Sequence, residues 1–360
     1  MKIIHTGDVH IGSAFKNLPT EQARLRGNEI LEDFRNACFY ARENGVSAVL
    51  IAGDLFDNNF VPKSLRRETL NAIQQASPVC FFYVSGNHDG KMEFGEDKPD
   101  NLYLFSDSCG WKSYDLGEGI QLTGMDTRNF SFSAFSALVL PQEKFHIALL
   151  HGDIYGDTNS PERIPLSALT EKNIDYLALG HIHKPTLQSE RLDGRGKYRY
   201  CGCFEGRGFD ELGNRGVFLL DIQNGRIKEE KFLSFAKRQV IEVRVDVSAC
   251  NGYFDVETLA LDALKNTRSN DLVKLVLYGR HKAELCKDPS LLARKLSERF
   301  FYVKVEDESQ IFIDANAYKN DLTERGEFVR EVGRYAFTEK ERAEILEVGL
   351  KALNGEEIDL

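Results

Sequence analysis

Five short motifs in the first 183 residues of this 360-residue chain carry side chains that can bind metal ions. Each motif follows a hydrophobic run of the kind that forms a buried strand. In chain order they are Gly7-Asp8-Val9-His10, Gly53-Asp54, Gly86-Asn87-His88-Asp89, His151-Gly152-Asp153 and Gly180-His181-Ile182-His183. Carboxylate, imidazole and amide oxygen ligands together suit Mn²⁺, Fe²⁺ or Zn²⁺. Because the carboxyl ends of strands in open α/β folds meet at one edge, five such ends predict one shared site.

Each motif also has an ordinary interpretation. A lone Asp-x-His is usually a surface accident, a lone Asn-His-Asp is usually a turn, and His-x-His can be a solvated pair. Five such motifs in order, each at the end of a predicted strand, favour a metal site over these alternatives. A carboxylate such as Asp54 can bridge two cations that lie roughly 3.5–4 Å apart.

Together the motifs resemble the signature of the calcineurin-like metallophosphoesterase superfamily. Their early start and the domain that follows are similar to one branch, the SbcD-type DNA-repair exonucleases, which are relatives of the meiotic-recombination nuclease. By motif the resemblance covers residues 1–235. It implies an α/β fold in which a four-layer β-sandwich flanked by helices is followed by a small α+β cap domain and C-terminal helices.

The resemblance also implies a role for each motif residue. The first metal would be held by Asp8, His10 and His183, and the second by Asn87, His151 and His181, with Asp54 as the bridge. His88 would stabilise or protonate the leaving group, and Asp89 would orient His88 by accepting a hydrogen bond from its other ring nitrogen. The cofactors are then two divalent metal ions, with Mn²⁺ expected first and Fe²⁺ or Zn²⁺ as alternatives.

Other polar side chains are expected to lie outside the site. His5 falls within the first predicted strand and is interpreted as a core histidine. His146 and His281 have no partner at ligand spacing and are interpreted as surface residues. Arg207 and the Asp210-Glu211 pair lie in a glycine-rich loop that is interpreted as edging the site. Arg207 could reach a phosphate from there, but these side chains are interpreted as solvated charges.

Hydrophobic spacing predicts the elements that must position these motifs. Strands are predicted at 2–6, 46–52, 78–84, 145–150 and 174–179, and helices at 21–44 and 62–76. This alternation indicates a largely parallel sheet covered by helices. Asn224-Gly225 between two alternating runs predicts a hairpin.

The same patterns divide the chain into three parts. They are a metallophosphoesterase domain at 1–235, an α+β capping domain at 239–315 and C-terminal amphipathic helices at 322–355. Within the cap, strands are predicted at 240–247, 272–278, 301–305 and 310–313, and helices at 255–265 and 289–299. In the last part, apolar residues recur at steps of three and four, which is typical of helices that bury one face. These helices either dock on a partner or complete the core of the cap.

Composition limits the functional classes. The net charge of −10 argues against nucleic-acid binding by bulk electrostatics alone. Residues 236–320 carry 14 basic and 13 acidic residues, and residues 321–360 carry 6 and 11. The seven cysteines are scattered, and neither a signal peptide nor a membrane span is evident, so a cytoplasmic protein is expected.

The expected function is a two-metal-ion phosphodiesterase, a DNA exonuclease or endonuclease of SbcD type that works in DNA repair. The resemblance implies DNA and an SMC-like or SbcC-like ABC ATPase with a coiled coil as partners, and a homodimer formed through 62–76 and 100–105. One alternative is a stand-alone phosphomonoesterase or phosphodiesterase on nucleotides. A second alternative is a non-catalytic scaffold that binds an ATPase.

Overall fold

The computed structural model describes residues 1–58, 60–89, 94–106, 109–157, 159–282, 285–312, 318 and 320–353. The chain divides into two compact units, Met1–Gln239 and Val240–Leu360. The predicted end points of the cap and of the last helix, residues 315 and 355, lie outside the described residues.

The first unit is built from two six-stranded sheets. One sheet has the order β12-β11-β1-β2-β3-β4 and the other the order β5-β6-β7-β8-β10-β9. The strands are β1 (Lys2–Thr6), β2 (Ala48–Ala52), β3 (Cys80–Val84), β4 (Leu102–Leu104), β5 (Lys112–Gly117), β6 (Ile120–Gly124), β7 (Phe145–His151), β8 (Tyr176–Gly180), β9 (Glu190–Arg191), β10 (Lys197–Tyr200), β11 (Val217–Gln223) and β12 (Arg226–Leu233).

Parallel pairing dominates the centre of both sheets. Strands β1 to β4 are parallel to one another, and so are β6, β7, β8 and β10. Strand β1 has β11 as its antiparallel neighbour on the other side. Every residue of β2, β7 and β8 is buried, which explains their nearly continuous apolar sequences. The carboxyl ends of β1, β2 and β3 therefore lie side by side, as do those of β7 and β8.

The two sheets pack face to face with apolar layers on either side. Ile3, Leu50 and Phe82 of the first sheet belong to the same buried cluster as Ile147 and Leu149 of the second. The outer face of the first sheet packs against helices α1 (Thr20–Glu43) and α2 (Lys63–Gln75). The outer face of the second packs against the short helix α3 (Phe132–Ser136) and the loops around it. The predicted four-layer sandwich is confirmed.

The predicted hairpin is also confirmed, since β11 and β12 are antiparallel and joined by Asn224 and Gly225. Both turn residues have positive φ, 52° and 67°, as a type I′ turn requires. Strands β4, β5 and β6 have no counterpart among the predicted elements. They are short or lie near a sheet edge, and β5 alternates intermediate and exposed positions with no fully buried residue.

The second unit contains a parallel three-stranded sheet in the order β13 (Val240–Asp246), β14 (Leu272–Tyr278) and β16 (Tyr302–Asp307). Helices α4 (Tyr253–Ala263) and α5 (Pro289–Leu296) connect these strands and share one core with them. Two further short strands, β15 (Arg280–His281) and β17 (Gln310–Ile311), follow β14 and β16 along the chain and pair with each other in parallel.

Two helices end the described chain, α6 (Glu324–Val332) and α7 (Glu339–Leu353). Their apolar stripes face each other: Val329 and Val332 form a small buried cluster with Leu346 and Leu350. Across the described residues, no helix combines the length and the apolarity that a membrane crossing needs.

Candidate metal centre

Residues from five strand ends come together at one edge of the sandwich. Asp8, Asp54 and Asn87 follow β1, β2 and β3 in the first sheet. His151 ends β7 and His181 follows β8 in the second sheet. The site therefore lies where the two sheets meet, and each sheet supplies part of it.

The backbone at these strand ends is strained. Asp8, His10, Asp54 and His181 have φ values of 47°, 51°, 48° and 103°, a region that residues with a Cβ seldom adopt. Such conformations cost of order 1–3 kcal/mol each and cluster at functional sites, where the surrounding fold holds them in place. The side chains are thereby turned toward a common centre.

Glycines allow the sheets to approach closely beneath the site. A Cβ on Gly180 would lie 1.8 Å from the carbonyl oxygen of Ala52, and a Cβ on Gly53 would lie 2.2 Å from Nδ1 of His151. Gly53 also has a φ of +82°. At both positions a side chain would displace part of the site, which explains the Gly-Asp and Gly-His pairs of the motifs.

The residues predicted for the first metal form one cluster. Asp8, His10 and His183 each offer a ligand atom, and these atoms lie within 4.8 Å of one another. Nε2 of His10 is 3.3 Å from Nε2 of His183. Asp8 and His10 are buried, and His183 is partly exposed.

The residues predicted for the second metal form an adjoining cluster. Oδ1 of Asn87 lies 2.9 Å from Nε2 of His151 and 3.3 Å from Nδ1 of His181. Asp54 lies between the two clusters, with Oδ2 at 3.8 Å from Nε2 of His10 and 3.5 Å from Nε2 of His151. This is the position that a bridging carboxylate would occupy.

All four histidines in these clusters have a protein oxygen near the other ring nitrogen, and for His151 and His183 it lies at hydrogen-bonding distance. Glu211 lies 2.6 Å from Nδ1 of His183, Asp57 3.3 Å from Nδ1 of His10, the Ala52 carbonyl 2.8 Å from Nδ1 of His151, and Glu162 3.7 Å from Nε2 of His181. Carboxylates and carbonyls at this position fix the ring orientation of metal-binding histidines. In His151 and His183 this contact leaves Nε2 facing the centre.

The charges around the centre also suit cations. Burial, followed by the nearby Asp54 carboxylate, raises the pKa of Asp8 well above its usual value. Burial lowers the pKa of His151 to about 4, so its ring is neutral at pH 7. The neutral His151 ring beside the buried side chains of Asp8 and Asp54 forms a donor set that a divalent cation would complete. The residues present therefore fit a pair of divalent cations.

His88 and Asp89 are arranged differently from the prediction. The two carboxylate oxygens of Asp89 accept hydrogen bonds from the backbone N–H groups of Phe56 and Gly86, both at 2.9 Å. Nδ1 of His88 lies 3.0 Å from the carbonyl oxygen of Asp57. The predicted Asp89–His88 hydrogen bond is therefore wrong. Asp89 is buried and fixes the loop, while the His88 ring is exposed at the mouth of the site.

Sequence patterns miss or misassign three residues of the site. Glu211 is buried and contacts His183, and Arg207 contacts both Glu211 and Asp57, so the interpretation of Arg207 and Glu211 as solvated charges is wrong. Asp57 belongs to none of the five motifs. It follows Gly53-Asp54 by three residues, and that spacing is the one available signal.

The remaining histidines lie away from the centre. His5 is buried and within hydrogen-bonding distance of the Tyr176 hydroxyl at 2.9 Å, which confirms it as a core residue. His146 and His281 are also buried, so their assignment to the surface is wrong. Nε2 of His146 lies 2.6 Å from the Pro141 carbonyl, and Nε2 of His281 lies 2.7 Å from Nζ of Lys287.

Comparison with known proteins agrees with this geometry. The family model described as calcineurin-like phosphoesterase matches residues 1–185. The chain belongs to this family. It is therefore a metal-dependent phosphoesterase, and its candidate centre supports two divalent cations.

Several curated relatives resemble this phosphoesterase at modest identity. The D component of the nuclease SbcCD of Staphylococcus epidermidis is 23% identical over 380 residues, which covers 89% of this chain and 93% of the relative. The metallophosphoesterase YhaO of Bacillus subtilis is 25% identical over 314 residues, which covers 80% of this chain and 74% of the relative. The DNA double-strand break repair protein Mre11 of Methanopyrus kandleri is 26% identical over 307 residues, which covers 77% of this chain and 64% of the relative.

Among solved structures, a dimetal phosphatase from Danio rerio aligns with 62% of this phosphoesterase and 93% of its own chain. The TM-score is 0.46 at 11% identity, a likeness too weak to support any statement about function.

Proposed function

We propose that this phosphoesterase hydrolyses phosphodiester bonds in DNA with two divalent cations. The observation that carries the proposal is the paired cluster, in which Asp54 lies between the Asp8-His10-His183 group and the Asn87-His151-His181 group. The relatives named as a component of the nuclease SbcCD and as Mre11 support DNA as the substrate class. Mn²⁺ is the proposed metal, with Fe²⁺ or Zn²⁺ as alternatives.

The seven proposed ligands would divide between two sites. Asp8, His10 and His183 would hold one cation, Asn87, His151 and His181 the other, and Asp54 both. Two divalent cations, when bound, supply a nucleophilic water at neutral pH and neutralise charge on the phosphoryl oxygens.

His88 would act on the leaving group. Because Nδ1 faces the Asp57 carbonyl at 3.0 Å, it is positioned to donate its hydrogen there. That contact leaves Nε2 as the nitrogen for the substrate, where a protonated ring can donate to the departing oxygen. Asp89 keeps the turn that carries His88 in place through its bonds to Gly86 and Phe56.

The rest of the chain would serve placement and assembly. We propose a catalytic domain at 1–235, a cap at 239–315 that helps to place DNA, and helices at 322–355 that dock on the coiled coil of an SMC-like or SbcC-like ABC ATPase. The near-neutral cap, with 14 basic and 13 acidic residues over 236–320, suits a DNA site completed by a partner. A homodimer in the cytoplasm, formed through α2 and residues 100–105, completes the proposal.

The test compares substrates on one preparation of the full chain. Loaded with Mn²⁺, the protein should degrade an end-labelled double-stranded oligonucleotide. Asp54→Ala should abolish this activity, and elemental analysis should show that it loses metal from both sites because Asp54 serves both. Asp221→Ala, at a partly buried position of β11 away from the site, is the matched control.

Other outcomes would redirect the proposal. Turnover of a chromogenic diester or a mononucleotide without any cleavage of DNA would favour the stand-alone esterase. Failure of the wild-type protein to bind Mn²⁺, Fe²⁺ or Zn²⁺ would leave the non-catalytic scaffold as the better account.

A further inference from the structure

One arginine lies between two of the carboxylates that face histidines of the centre. Nη1 of Arg207 is 3.2 Å from Oδ1 of Asp57, and Nη2 is 2.9 Å from Oε1 of Glu211. The backbone N–H of Arg207 also donates to Oε2 of Glu211 at 2.8 Å. The guanidinium thus joins two acidic residues that are 154 positions apart in the chain, at 57 and 211.

These two carboxylates contact the two histidines of a single cluster. Glu211 lies 2.6 Å from Nδ1 of His183, and Asp57 lies 3.3 Å from Nδ1 of His10. The opposite ring nitrogens, Nε2 of both histidines, are 3.3 Å apart and face the place proposed for the first cation. Nη2 of Arg207 also lies 3.1 Å from Nδ1 of His183 itself. The contacts of Arg207 therefore lead to the first cation site and not to the second.

The loop that carries Arg207 is anchored by a buried arginine of helix α1. The fully buried Arg26 of α1 donates to the carbonyl oxygen of Gly206 at 2.8 Å and to Glu205 at 2.5 Å. The Arg207 side chain is 22% exposed, and each of its three nitrogens already faces a protein group. Its donors are therefore already engaged with protein groups of the site.

We propose that Arg207 is a positioning residue that sets the rings of His10 and His183 for the first cation, through Asp57 and Glu211 and by its own contact with His183. This inference rests on the proposed two-metal function. A planar guanidinium can hold two carboxylates at fixed directions at once, which a lysine ammonium on a flexible stem does not do. Without that brace the two carboxylates repel each other, and the rings that they contact lose their fixed orientation.

The test is a titration of the metal-free full chain with Mn²⁺, followed by calorimetry and by electron paramagnetic resonance. The wild-type protein should show two sites and, when full, the spectrum of an exchange-coupled pair. In Arg207→Met the first site should weaken about 10–100-fold, as for other residues that orient metal ligands. The second site should keep its affinity, so that one equivalent gives the six-line spectrum of isolated Mn²⁺.

Three further variants test why the first site binds Mn²⁺ more weakly in Arg207→Met. Arg207→Lys keeps the positive charge but removes the planar guanidinium. It should show the same weakening of the first site alone. Glu211→Gln should also weaken only the first site, and it replaces Arg207→Met if that variant does not fold by circular dichroism. Asp210→Asn, an exposed neighbour in the same loop, should titrate like the wild type.

Several results would overturn the inference. They are equal weakening of both sites in Arg207→Met, two unchanged sites in that variant, or wild-type affinity in Arg207→Lys. The proposed function fails in a different way, because the wild-type protein itself would then bind no pair of cations.

Discussion

At the scale of single residues, the centre depends on histidine rings whose two nitrogens have different surroundings. The inner nitrogens of His10 and His183 approach within 3.3 Å, while their outer nitrogens face Asp57 and Glu211. Burial alone would raise the pKa of Glu211, but the hydrogen bond with His183 and the Arg207 guanidinium lower it below its usual value. Glu211 is therefore ionised at neutral pH, and its Oε1 lies at hydrogen-bonding distance, 2.6 Å, from Nδ1 of His183.

His88 differs from these rings in both exposure and contacts, and a substitution should separate its role from theirs. His88→Gln removes the group proposed to donate a proton, so turnover should fall roughly 10²–10⁴-fold. Because the ring is not among the proposed ligands, two Mn²⁺ per chain should still bind. Steady-state kinetics and elemental analysis of the same sample give both readouts.

His146→Gln is a control for the loss of an imidazole elsewhere in the same domain. His146 lies at the start of β7, at the opposite end of that strand from His151. Loss of Mn²⁺ from His88→Gln would show that His88 belongs to the coordination shell, contrary to its proposed role on the leaving group.

The sequence predicts the proposed metal ligands better than the residues that contact those ligands. Asp8, Asp54 and His181 can be found because each directly follows an apolar run and a glycine, a pattern that geometry imposes on a crowded strand end. Glu211 and Arg207 lie in a loop without periodicity, and only the folded chain brings them to His183. The Asp89 prediction fails because adjacent residues of a tight turn face opposite ways, one to solvent and one to the core.

At the scale of elements, helix α1 and the loop before β11 are joined by buried charges. Arg26 is fully buried between Glu29 and Glu205, and Glu29 also pairs with Arg238 at 2.7 Å. Burial raises the pKa of Glu205 to about 7, although the attraction of Arg26 opposes the shift. This network holds the segment that continues into Arg207.

The raised pKa of Glu205 predicts how stability depends on pH. Between the ordinary value of 4.5 and about 7, the folded chain retains a proton that the unfolded chain has released. The contribution of Glu205 to the free energy of unfolding is therefore full at low pH and is lost as pH rises through this window. Relative to Glu205→Gln, the wild-type protein should lose on the order of 3 kcal/mol between pH 4.5 and 8.

Urea unfolding of both proteins at several pH values measures this difference directly. Glu21→Gln, at an exposed position in the first turn of α1, controls for the loss of a carboxyl group from the same helix. A difference between wild type and Glu205→Gln that stays constant from pH 4.5 to 8 would contradict the assignment.

Several elements with buried apolar positions are predicted closely. Strand β14 has its predicted bounds, and α2 and α5 match theirs within a few residues, because buried positions impose strong periodicity. Strands β4, β5 and β6 escape prediction because their order depends on neighbours in the sheet. Ile120 and Leu122 of β6, for example, are buried in the cluster between the two sheets, and β6 pairs with β7.

At the scale of the whole molecule, the last two helices share a small buried apolar cluster. Val329, Val332, Leu346 and Leu350 form their shared cluster, while Tyr335, Val348 and Leu353 remain substantially exposed. Such a helical pair can be removed with little loss to the rest of the chain if its main contacts are internal.

Deletion of residues 322–360 tests whether these helices dock on a partner. The truncated protein should bind two Mn²⁺ and keep its melting temperature within a few degrees, because the cluster of α6 and α7 is separate from the core of β13, β14 and β16. It should no longer retain a coiled-coil ATPase when purified from cell extract, as identified by mass spectrometry.

The matched control is Leu322→Ser in the full chain, a single change at a position that is 97% exposed. It should retain the partner, because the helices themselves are intact. Aggregation or a far lower melting temperature of the deletion variant would instead place the helices in the core of the second unit.

The spread of the first cation cluster along the chain has a consequence for synthesis on the ribosome. His10 and His183 are 173 positions apart, and β1, which leads to Asp8, lacks its antiparallel neighbour until β11 has been made. A nascent chain therefore exposes Asp8 and His10 long before it can close the site around them. Contacts so distant in sequence make folding slow, since the loop between them must be ordered first. Metal loading should thus follow release of almost the entire first unit from the ribosome, and ribosome-bound chains that end before residue 183 should bind no metal pair.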